Sequence, residues 1–418
     1  MTSRERFICA AQHNEADRVP VDFGTTRSGG ITAVAYNALK KYLGLASQNT
    51  RLYDIQQQLA YPDDELMRKY GFDLYDVGRA FLNAESDWKP YSLMDGSSAV
   101  IPAYYRLENE QDGKEYLFTK KGTRVAVKPP TSYYFDQCYW PWGDRDSIPD
   151  LIPRDEFEEE IWMVPASPNH LDFMHEKSDL EVLRRTVKEL YETTSYALYI
   201  DLGRPGFFEK GWYMFGAEKW FMGLVLDKPG ICRMLDAYVE ECIERLGVIL
   251  EAVGDYIQVI RVFHDDIGNQ NGPQFSPALF KEIIAPRYRR LFDFIHSKSK
   301  VKILNHSCGS IADFIPSFID AGLDMLNPIQ TSCNNMDPAR LKKEYGKDLV
   351  LWGGGIDTVN ELSNGTPAQV RDRVRERIEI FASGGGFVFC ATHNIQPGVP
   401  PQNVAAMLEA AGEYGVYC

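Results

Sequence analysis

Residues 255–263 read DYIQVIRVF and follow a long amphipathic stretch at 227–253. A helix pattern that leads into a short apolar strand predicts one unit of a parallel βαβ series, and this pattern repeats through the C-terminal half of the chain. Further strands of this kind are predicted at YALYIDLG (196–203), VKILNH (301–306), LDMLNPI (323–329), LVLWGGG (349–355) and GFVFCAT (386–392). Helix patterns precede them at 178–194, 277–297, 309–321, 336–346 and 366–383.

The N-terminal part of the chain adds one or two strands to this series. RVPVDFG (18–24) is an apolar run that ends in glycine, and it predicts a first buried strand. Residues 31–45 show helical spacing, and residues 62–78 begin as a helix and pass through Gly71 into a strand. Together with the six strands after residue 196, they predict an α/β fold of the (β/α)8 TIM-barrel type. An open doubly wound sheet is the alternative, but no GxGxxG motif follows the first strand.

The stretch at 83–165 differs in pattern from the rest of the chain. Asp-Gly pairs at 95–96 and 112–113 lie between short β-rich runs and predict hairpins. We therefore predict a single barrel domain over 1–418 with an inserted β-rich cap, or subdomain, at 83–165. Its aromatic residues form the small core of this cap or roof the mouth of the barrel, and both interpretations stay open for Tyr133, Tyr134, Phe135, Tyr139, Trp140 and Trp142.

Charge and composition exclude several classes of protein. The net charge of −14 at pH 7 and the lack of a basic stripe argue against nucleic-acid binding. No apolar stretch is long enough for a membrane helix, and the N-terminus has no signal-peptide pattern. The eight cysteines are scattered and do not form a disulfide framework. We expect a reduced, cytoplasmic protein, and a homo-oligomer stays open.

Polar side chains follow the predicted strands at the point where each strand ends. The carboxyl ends of barrel strands meet at one face, and the active sites of barrel enzymes lie there. Because five consecutive strand ends carry such residues, we predict a site at this face. The candidates are His264, Asp265, Asp266 and Gln270 after 255–263, His306 and Cys308 at the end of 301–306, Asn327 and Gln330 at the end of 323–329, Asp357 after 349–355, and Cys390 and His393 at the end of 386–392.

His306 and Cys308 are the most specific pair in this set. An imidazole and a thiolate two residues apart, on a chain that leaves a strand, can point at one centre, and both are preferred zinc ligands. Another strand end offers Cys390 and His393, and three protein ligands with one open position are typical of catalytic zinc. The alternative is a packed histidine beside a buried, inert cysteine.

Four segments, LNHSCG, AGLDMLNPIQ, LVLWGGGID and HNIQPGVPPQNV, resemble the uroporphyrinogen decarboxylase-like superfamily. Within it, the chain is similar to the branch of corrinoid-dependent methyltransferases. This branch includes enzymes that move methyl groups between a methylcorrinoid protein and coenzyme M, and relatives that demethylate methoxyarenes or process chloromethane. The resemblance covers roughly 196–415 and the RVPVDFG segment, and it leaves 83–165 uncovered.

The resemblance implies a set of metal ligands. Members that use coenzyme M hold zinc with a His-x-Cys pair and a distant Cys, and the pair maps onto His306 and Cys308. The position of the distant Cys matches His393 in HNIQPGVPP, and Cys390 lies three residues earlier. We therefore expect His306, Cys308 and His393 to bind zinc, with Cys390 as the alternative to His393.

Uroporphyrinogen decarboxylases themselves have a histidine in the segment of His393 and an arginine-rich loop after the first strand that binds substrate carboxylates. In this chain the loop reads DFGTTRSGGI, and Arg27 is its only arginine. Four acetate groups need more positive charge than one arginine supplies, which argues against porphyrinogen decarboxylation. Arg27 stays a candidate for substrate binding.

The expected function is a zinc-dependent transfer of a methyl group between a small methoxy or thiol compound and a corrinoid (cobalamin) cofactor, which a partner protein would carry. Zinc would hold a thiolate acceptor or act as a Lewis acid on an ether oxygen, and a single thiolate ligand favours the second role. Candidates for acid–base chemistry are Asp265, Asp266 and His393, and candidates for substrate binding are His264, Gln270, Asn327, Gln330, Asp357 and Arg27.

Two other functions stay open at this stage. One is a metal-free decarboxylase or lyase of a small acidic molecule, in which His393 and Asp265 or Asp266 form the acid–base pair. The other is a non-catalytic binding protein, in which His306 and Cys308 serve only the fold.

Overall fold

The computed structural model describes residues 1–45, 49–163 and 177–417, and in these ranges strands and helices alternate. The strands are β1 (Ile31–Thr32), β2 (Thr50–Asp54), β3 (Leu59–Ala60), β4 (Leu74–Asp76), β5 (Trp88–Ser92), β6 (Ser98–Pro102), β7 (Arg106–Asn109), β8 (Glu115–Phe118), β9 (Arg124–Lys128), β10 (Asp136–Gln137), β11 (Ala197–Pro205), β12 (Val259–His264), β13 (Lys302–His306), β14 (Met325–Asn327), β15 (Val350–Trp352) and β16 (Phe387–Val388).

The helices surround one of the sheets. They are α1 (Ser3–Ala11), α2 (Ala33–Leu43), α3 (Asp64–Tyr70), α4 (Lys177–Thr193), α5 (Phe207–Phe215), α6 (Ala217–Leu226), α7 (Lys228–Val253), α8 (Pro277–Leu279), α9 (Ala285–Lys298), α10 (Ile315–Asp320), α11 (Pro338–Tyr345), α12 (Pro367–Phe381) and α13 (Pro401–Tyr414). A π-helical segment, Phe280–Ile284, joins α8 to α9, and a 3-10 turn lies at Ile161–Met163. None of the helices in the described ranges combines the length and the apolar character that a membrane crossing requires.

Seven strands form one parallel sheet, in the order β16-β15-β14-β13-β12-β11-β4. Residues 19–22 close this sheet on itself. Val21 forms a parallel bridge with Phe389, next to β16, and its carbonyl accepts a hydrogen bond of 3.0 Å from the amide of Asp73, next to β4. The segment that the sequence predicts as the first strand therefore occupies the eighth position, and the TIM-barrel fold is confirmed.

Two layers of apolar side chains hold the barrel together. The strands are short and buried on both faces, as barrel strands are, and all six residues of β12 are buried. Side chains that point into the barrel, such as Tyr199 and Trp352, form a cluster of their own. Phe7 of α1 packs edge-on against Trp352, with 5.7 Å between the ring centroids, and fills this interior at the amino ends of the strands. A larger cluster lies between the strands and the helices.

Two predicted helices begin later than expected. Residues 31–45 are predicted as one helix, but Ile31 and Thr32 pair with β3 as a strand and α2 begins at Ala33. Residues 309–321 are predicted as a helix, but α10 begins only at Ile315. In both places the tertiary contacts of the first residues outweigh a local helical pattern.

Two further sheets lie beside the barrel. One has the order β1-β3-β2-β6-β5, and the other is antiparallel with the order β10-β9-β8-β7. Both predicted hairpins are present, since β5 pairs antiparallel with β6 and β7 with β8. Along its edge β2 pairs with β6, so β1, β2 and β3 lie in the same sheet as β5 and β6. Residues 164 and 165 of the predicted insertion lie outside the described ranges.

Candidate metal centre

Three of the predicted ligands come together at the carboxyl ends of the barrel strands. One ligand atom each from His306, Cys308 and His393 lies within 4.8 Å of the other two. The Nε2 atom of His306 is 3.3 Å from the Sγ atom of Cys308. Two ligands of a tetrahedral zinc ion with ordinary Zn–N and Zn–S bond lengths are about 3.5 Å apart. The donor set and its spacing therefore fit a zinc ion with three protein ligands.

The strand register positions His306. It ends β13 and lies in register with His264 of β12 and Asn327 of β14. Its Nδ1 atom is 2.8 Å from the Oδ1 atom of Asn327, which leaves Nε2 directed towards Cys308. Asn327 is held in turn by the Ser28 hydroxyl, 2.5 Å from Oδ1, and by the Trp352 carbonyl, 3.1 Å from Nδ2. Such an oriented partner is typical of metal-binding histidines.

The loop after β13 fixes Cys308 through its backbone. The Cys308 amide donates to the Oδ1 atom of Asp266 at 2.7 Å, and the Gly309 amide donates to the Oε1 atom of Gln330 at 2.7 Å. Burial raises the pKa of the Cys308 thiol well above its ordinary value, and the charges of Asp266 and Glu209 add to this. A bound divalent cation would displace this proton, because a coordinated thiol is deprotonated.

His393 is oriented by a chain of amide side chains. Its Nδ1 atom is 3.0 Å from the Oδ1 atom of Asn394, whose Nδ2 atom donates to Gln57 at 3.0 Å. Burial lowers the pKa of His393, and it lowers the pKa of His306 to about 4. Both imidazoles are therefore neutral near pH 7, which is the form that binds metal ions.

Cys390 lies apart from this group. It is buried in the cluster inside the barrel, beside Val388 and Trp352. Its Sγ atom is 3.9 Å from the Nδ2 atom of Asn327, on the far side of the amide that orients His306. The structure thus brings His393, and not Cys390, together with His306 and Cys308.

The two adjacent aspartates after β12 have different surroundings. Asp265 is fully buried and accepts hydrogen bonds from the Glu209 amide at the start of α5, at 2.8 Å, and from the Tyr288 hydroxyl, at 2.6 Å. Burial raises the pKa of Asp265 to about 7. The Oδ1 atom of Asp266 is 3.6 Å from the Nε2 atom of His306. Asp265 therefore anchors α5, and Asp266 is the aspartate that reaches the ligand group.

A cavity of about 70 Å³ is lined by two of the three candidate ligands, His306 and His393. Several of its lining residues are predicted from the sequence, namely Arg27, His264, Asp266, His306 and His393. The others are not among the predicted site residues, namely Ser28, Gln57, Trp162, Glu209, Tyr213 and Arg261.

Two of the lining residues are buried arginines. The Nε atom of Arg27 is 3.3 Å from the Oδ2 atom of Asp54, and Arg261 forms an ion pair with Asp201. Each guanidinium is therefore balanced by one carboxylate. The Nη1 atom of Arg27 and the Nε atom of Arg261 have no hydrogen-bond partner among the described residues. Buried donors of this kind normally find a partner, so they are available to a ligand.

Trp162 and Glu209 are the most informative residues that sequence reasoning misses. Trp162 comes from the 3-10 turn at Ile161–Met163, and its ring centroid is 4.5 Å from that of His264. Nothing in the sequence around Trp162 marks it as part of a site. Glu209 had a usable signal, because it follows the end of β11 as the other candidates follow theirs. Arg261 also had a usable signal, because a charged side chain inside an apolar strand is rarely buried unless it is paired.

Other predicted substrate-binding residues lie away from the cavity. Gln270 is exposed. Asp357 accepts hydrogen bonds from backbone amides at the start of the next helical turn. Asn327 and Gln330 brace His306 and the loop after Cys308. The structure therefore leaves His264 and Arg27 as the predicted substrate-binding residues that face the cavity.

The closed barrel and the His306, Cys308 and His393 group define a class of protein, a TIM barrel with a candidate catalytic metal centre at the carboxyl ends of its strands. The model of the uroporphyrinogen decarboxylase (URO-D) family matches residues 206–414, which is half of the chain and includes all three candidate ligands. The chain belongs to the uroporphyrinogen decarboxylase family, and the resemblance seen in its sequence is confirmed.

Similar proteins include decarboxylases and methyltransferases. The uroporphyrinogen decarboxylase of Saccharophagus degradans is 23% identical over 352 residues, which cover 80% of this chain and 95% of the relative. A methylated-thiol–coenzyme M methyltransferase of Methanosarcina mazei is 29% identical over 141 residues, which cover 33% of this chain and 34% of the relative. A solved methyltransferase structure from Methanosarcina mazei has a TM-score of 0.56 and 16% identity over 99% of both chains, which shows a shared fold.

Proposed function

We propose that the chain is a zinc-dependent methyltransferase, which moves a methyl group between a small methoxy or thiol compound and a corrinoid cofactor. The observation that carries this proposal is the group of two imidazoles and one thiol beside a buried cavity. The methyltransferase among the relatives supports the same choice.

In this proposal His306, Cys308 and His393 hold the zinc ion. Bound zinc would supply Lewis acidity at an ether oxygen, or would hold a thiolate as the acceptor. Asn327 and Asn394 keep the two imidazoles in the orientation that leaves one nitrogen of each for the metal. Asp266 fixes the backbone of Cys308.

The substrate would lie in the cavity, between the metal ligands and Trp162. The buried N–H groups of Arg27 and Arg261 and the ring nitrogens of His264 have no hydrogen-bond partner among the described residues, so they would bind its polar atoms. The rings of Trp162 and His264, tilted by 57° to one another, form an aromatic wall, which suits a planar methoxy compound. His264 and Arg27 thus keep the substrate-binding roles expected from the sequence.

The size of the cavity supports a separate corrinoid protein as partner. The cavity measures about 70 Å³. A corrin ring is far larger than this. The corrinoid would therefore approach the mouth of the barrel from outside, carried by another protein.

We also propose that residues 83–165 act as a cap over the barrel mouth. Trp162 of this region contacts His264, and the Tyr134 hydroxyl contacts Gln396 in the segment after β16. Trp142 is fully buried against Phe215 of α5, so part of the aromatic cluster forms a core between cap and barrel. The cap would close the cavity to water during methyl transfer.

The metal-free alternative has little support in the geometry. It needs an aspartate beside His393, and Asp265 is occupied by the start of α5 and by Tyr288. Asp266 remains beside His306, but it holds the backbone of Cys308.

Zinc analysis of purified protein tests the proposal. We expect about one zinc ion per chain, as in three-ligand catalytic sites. His306→Ala, Cys308→Ala and His393→Ala are each expected to lose it, and the matched Cys390→Ala variant is expected to retain it because its thiol lies inside the barrel. A zinc-free parent protein after growth with added metal would contradict the proposal. Loss of zinc in Cys390→Ala, with zinc retained in His393→Ala, would show that Cys390 and not His393 is the third ligand.

A further inference from the structure

Glu209 presents a carboxyl group to the cavity that none of the roles above uses. It lies in the first turn of α5, and its side chain is 12% exposed. The Tyr213 hydroxyl, one turn further along α5, donates to its Oε1 atom at 3.0 Å. Its Oε2 atom is buried and has no hydrogen-bond partner among the described residues. The Nε2 atom of His264 lies 3.9 Å from Oε2.

The structure fixes α5, and with it the position of Glu209. The backbone amide of Glu209 donates to the buried carboxyl of Asp265 at 2.8 Å. On the other side of the helix, Lys210 forms a fully buried ion pair of 3.2 Å with Glu160. Gly206, just before α5, lies so close to Asp265 that a Cβ atom there would be 2.3 Å from it. These contacts hold the helix from two sides, so the carboxyl group cannot leave the cavity by a turn of the helix.

The surroundings of Glu209 favour its protonated form. Burial raises its pKa well above the ordinary value, and the charges of Asp266 and Asp265 raise it further, while hydrogen bonds from Tyr213 and from the Asp266 backbone offset part of this. No Lys or Arg forms an ion pair with it among the described residues, and burial lowers the pKa of the facing His264 well below its ordinary value. Tyr213 donates to Oε1, so the carboxyl proton belongs on Oε2, the atom without a partner.

The other carboxyl groups near the cavity are engaged. Asp54 and Asp201 each face an arginine. Asp265 holds α5, and Asp266 accepts from the amide of Cys308 while its side chain remains 40% exposed. Among the carboxyl groups of the described cavity lining, Glu209 is thus the one with a buried oxygen that has no hydrogen-bond partner.

We propose that Glu209 is the general acid of the reaction, and that it delivers its Oε2 proton to the ether oxygen as the methyl group leaves. This inference rests on the proposed methyltransferase function. The bond from the methyl carbon to oxygen breaks while that carbon forms a bond to the Co(I) centre of the corrinoid. The electron pair of the broken bond stays on the oxygen, which takes the Glu209 proton. The product is an alcohol or phenol, and Glu209 is left as a carboxylate that regains its proton from water after release.

The dependence of the rate on the leaving group tests this role. A phenol with a nitro group leaves well without protonation, whereas an electron-rich phenol or an alkyl alcohol does not. We expect Glu209→Gln to lose about 100-fold or more in rate with the poor leaving groups and little with nitro-substituted methoxybenzenes, because general acids contribute about this factor. Cob(I)alamin is the acceptor, and methylation is followed by absorbance. Glu218→Gln, an exposed change on α6, is the matched control and should equal wild type.

Two measurements that do not use turnover accompany the assay. Zinc content should be equal in Glu209→Gln and wild type, which separates a proton donor from a metal ligand. The infrared difference spectrum between them at neutral pH should show the carbonyl band of one protonated carboxyl group. An equal loss of rate with all leaving groups, or the absence of this band, would overturn the role of Glu209 while leaving the methyltransferase proposal intact. A wild-type protein that transfers no methyl group from any ether would overturn both.

Discussion

At the scale of single residues, the candidate centre depends on side chains whose other polar atoms are already engaged. The Nδ1 atom of His306 meets Asn327, and the Nδ1 atom of His393 meets Asn394. Each imidazole is therefore left with one nitrogen for a metal ion. The partly buried thiol of Cys308 completes the set of three candidate ligands. The orientation of these ligands is as important as their identity.

Asn327→Ala should weaken zinc binding without removing a ligand. The substitution frees the His306 ring to rotate, and loss of such an orienting partner typically costs about 10- to 100-fold in metal affinity. Competition with a chelating dye measures this. Gln270→Ala, at an exposed position after β12, is the control and should bind zinc as wild type does. Equal affinity in Asn327→Ala and wild type would show that His306 does not need this contact.

Asp76, at the end of β4, gives a prediction about stability and pH. Burial raises its pKa from 3.8 to about 6, although the amide of Gly78 and the hydroxyl of Tyr61 partly offset this. Between about pH 4 and pH 6 the folded chain therefore keeps a proton that the unfolded chain has lost. Protonated Asp76 therefore contributes its whole stabilising effect to the free energy of unfolding below about pH 4, and this effect is lost as the pH rises through about 6.

Over that interval the free energy of unfolding of wild type should fall by up to about 3 kcal/mol relative to Asp76→Asn, whose side chain does not titrate. Urea unfolding of both proteins at several pH values measures the difference. Parallel curves for the two proteins would contradict the expected titration of Asp76.

At the scale of elements, helix α5 positions several residues of the candidate site. It begins directly after β11 and carries Glu209 and Tyr213 towards the cavity and Lys210 towards the cap. The buried carboxyl of Asp265 accepts the first amides of this helix, which is the position where a helix favours a negative or polar acceptor. A small displacement of α5 would therefore move several site residues together.

Gly206→Ala tests this coupling. The new Cβ atom would lie 2.3 Å from Asp265, which is too close for any real contact, so α5 or Asp265 must shift. We expect a loss of about 1–3 kcal/mol in the free energy of unfolding and a clear loss of activity. Gly412→Ala in α13 is a matched control in which the free energy of unfolding should change in the opposite direction, because nothing lies within 4 Å of its Cβ position. That change should stabilise the protein by about 0.4–1 kcal/mol.

At the scale of the whole molecule, a buried ion pair joins α5 of the barrel to the segment just before Trp162. Lys210 of α5 and Glu160 of the segment before Trp162 are both fully buried, and the Lys210 ammonium also donates to the carbonyl of Phe157. Removal of either partner would leave the other charge buried without a counter-ion. The pair therefore ties the position of Trp162 to that of α5.

Lys210→Met should cost about 3–5 kcal/mol in the free energy of unfolding, because it leaves the Glu160 charge buried and unpaired. Adding Glu160→Leu should recover much of this loss. Lys228→Met breaks the exposed pair with Glu282 and is the control, with an expected cost below about 1 kcal/mol. Urea unfolding of the single and double variants measures all of these values. A double variant as unstable as Lys210→Met would contradict the unpaired charge as the cause.

The sequence predicts the barrel well because its strands are local, apolar and regularly spaced. It also predicts that His306, Cys308 and His393 lie close together, because strand ends meet at one face. It cannot place Trp162, which reaches the cavity from a region without a repeating pattern. Nor can it separate Asp265 from Asp266, since adjacent residues with the same side chain differ only in the direction that tertiary packing gives them.

The sheet that β1, β2 and β3 share with β5 and β6 is not predicted, for a similar reason. Strand pairing between β2 and β6 joins segments that lie about 50 residues apart, and no local pattern records such a pairing. Glu209 and Arg261 were within reach of sequence reasoning. Glu209 follows a strand end, and Arg261 is a charge within an apolar strand.

Methyl transfer to cob(I)alamin with zinc-stripped and zinc-reloaded protein tests the central claim most directly. The methyl donors are a methoxybenzene and a methylated thiol, and the reaction is followed by the absorbance change from Co(I) to methyl-Co(III). We predict transfer with the reloaded wild type, none with the stripped protein, and none with Cys308→Ala after the same reloading. Transfer at the same rate with and without zinc, or no transfer from either donor in a protein that holds a full complement of zinc, would contradict the account.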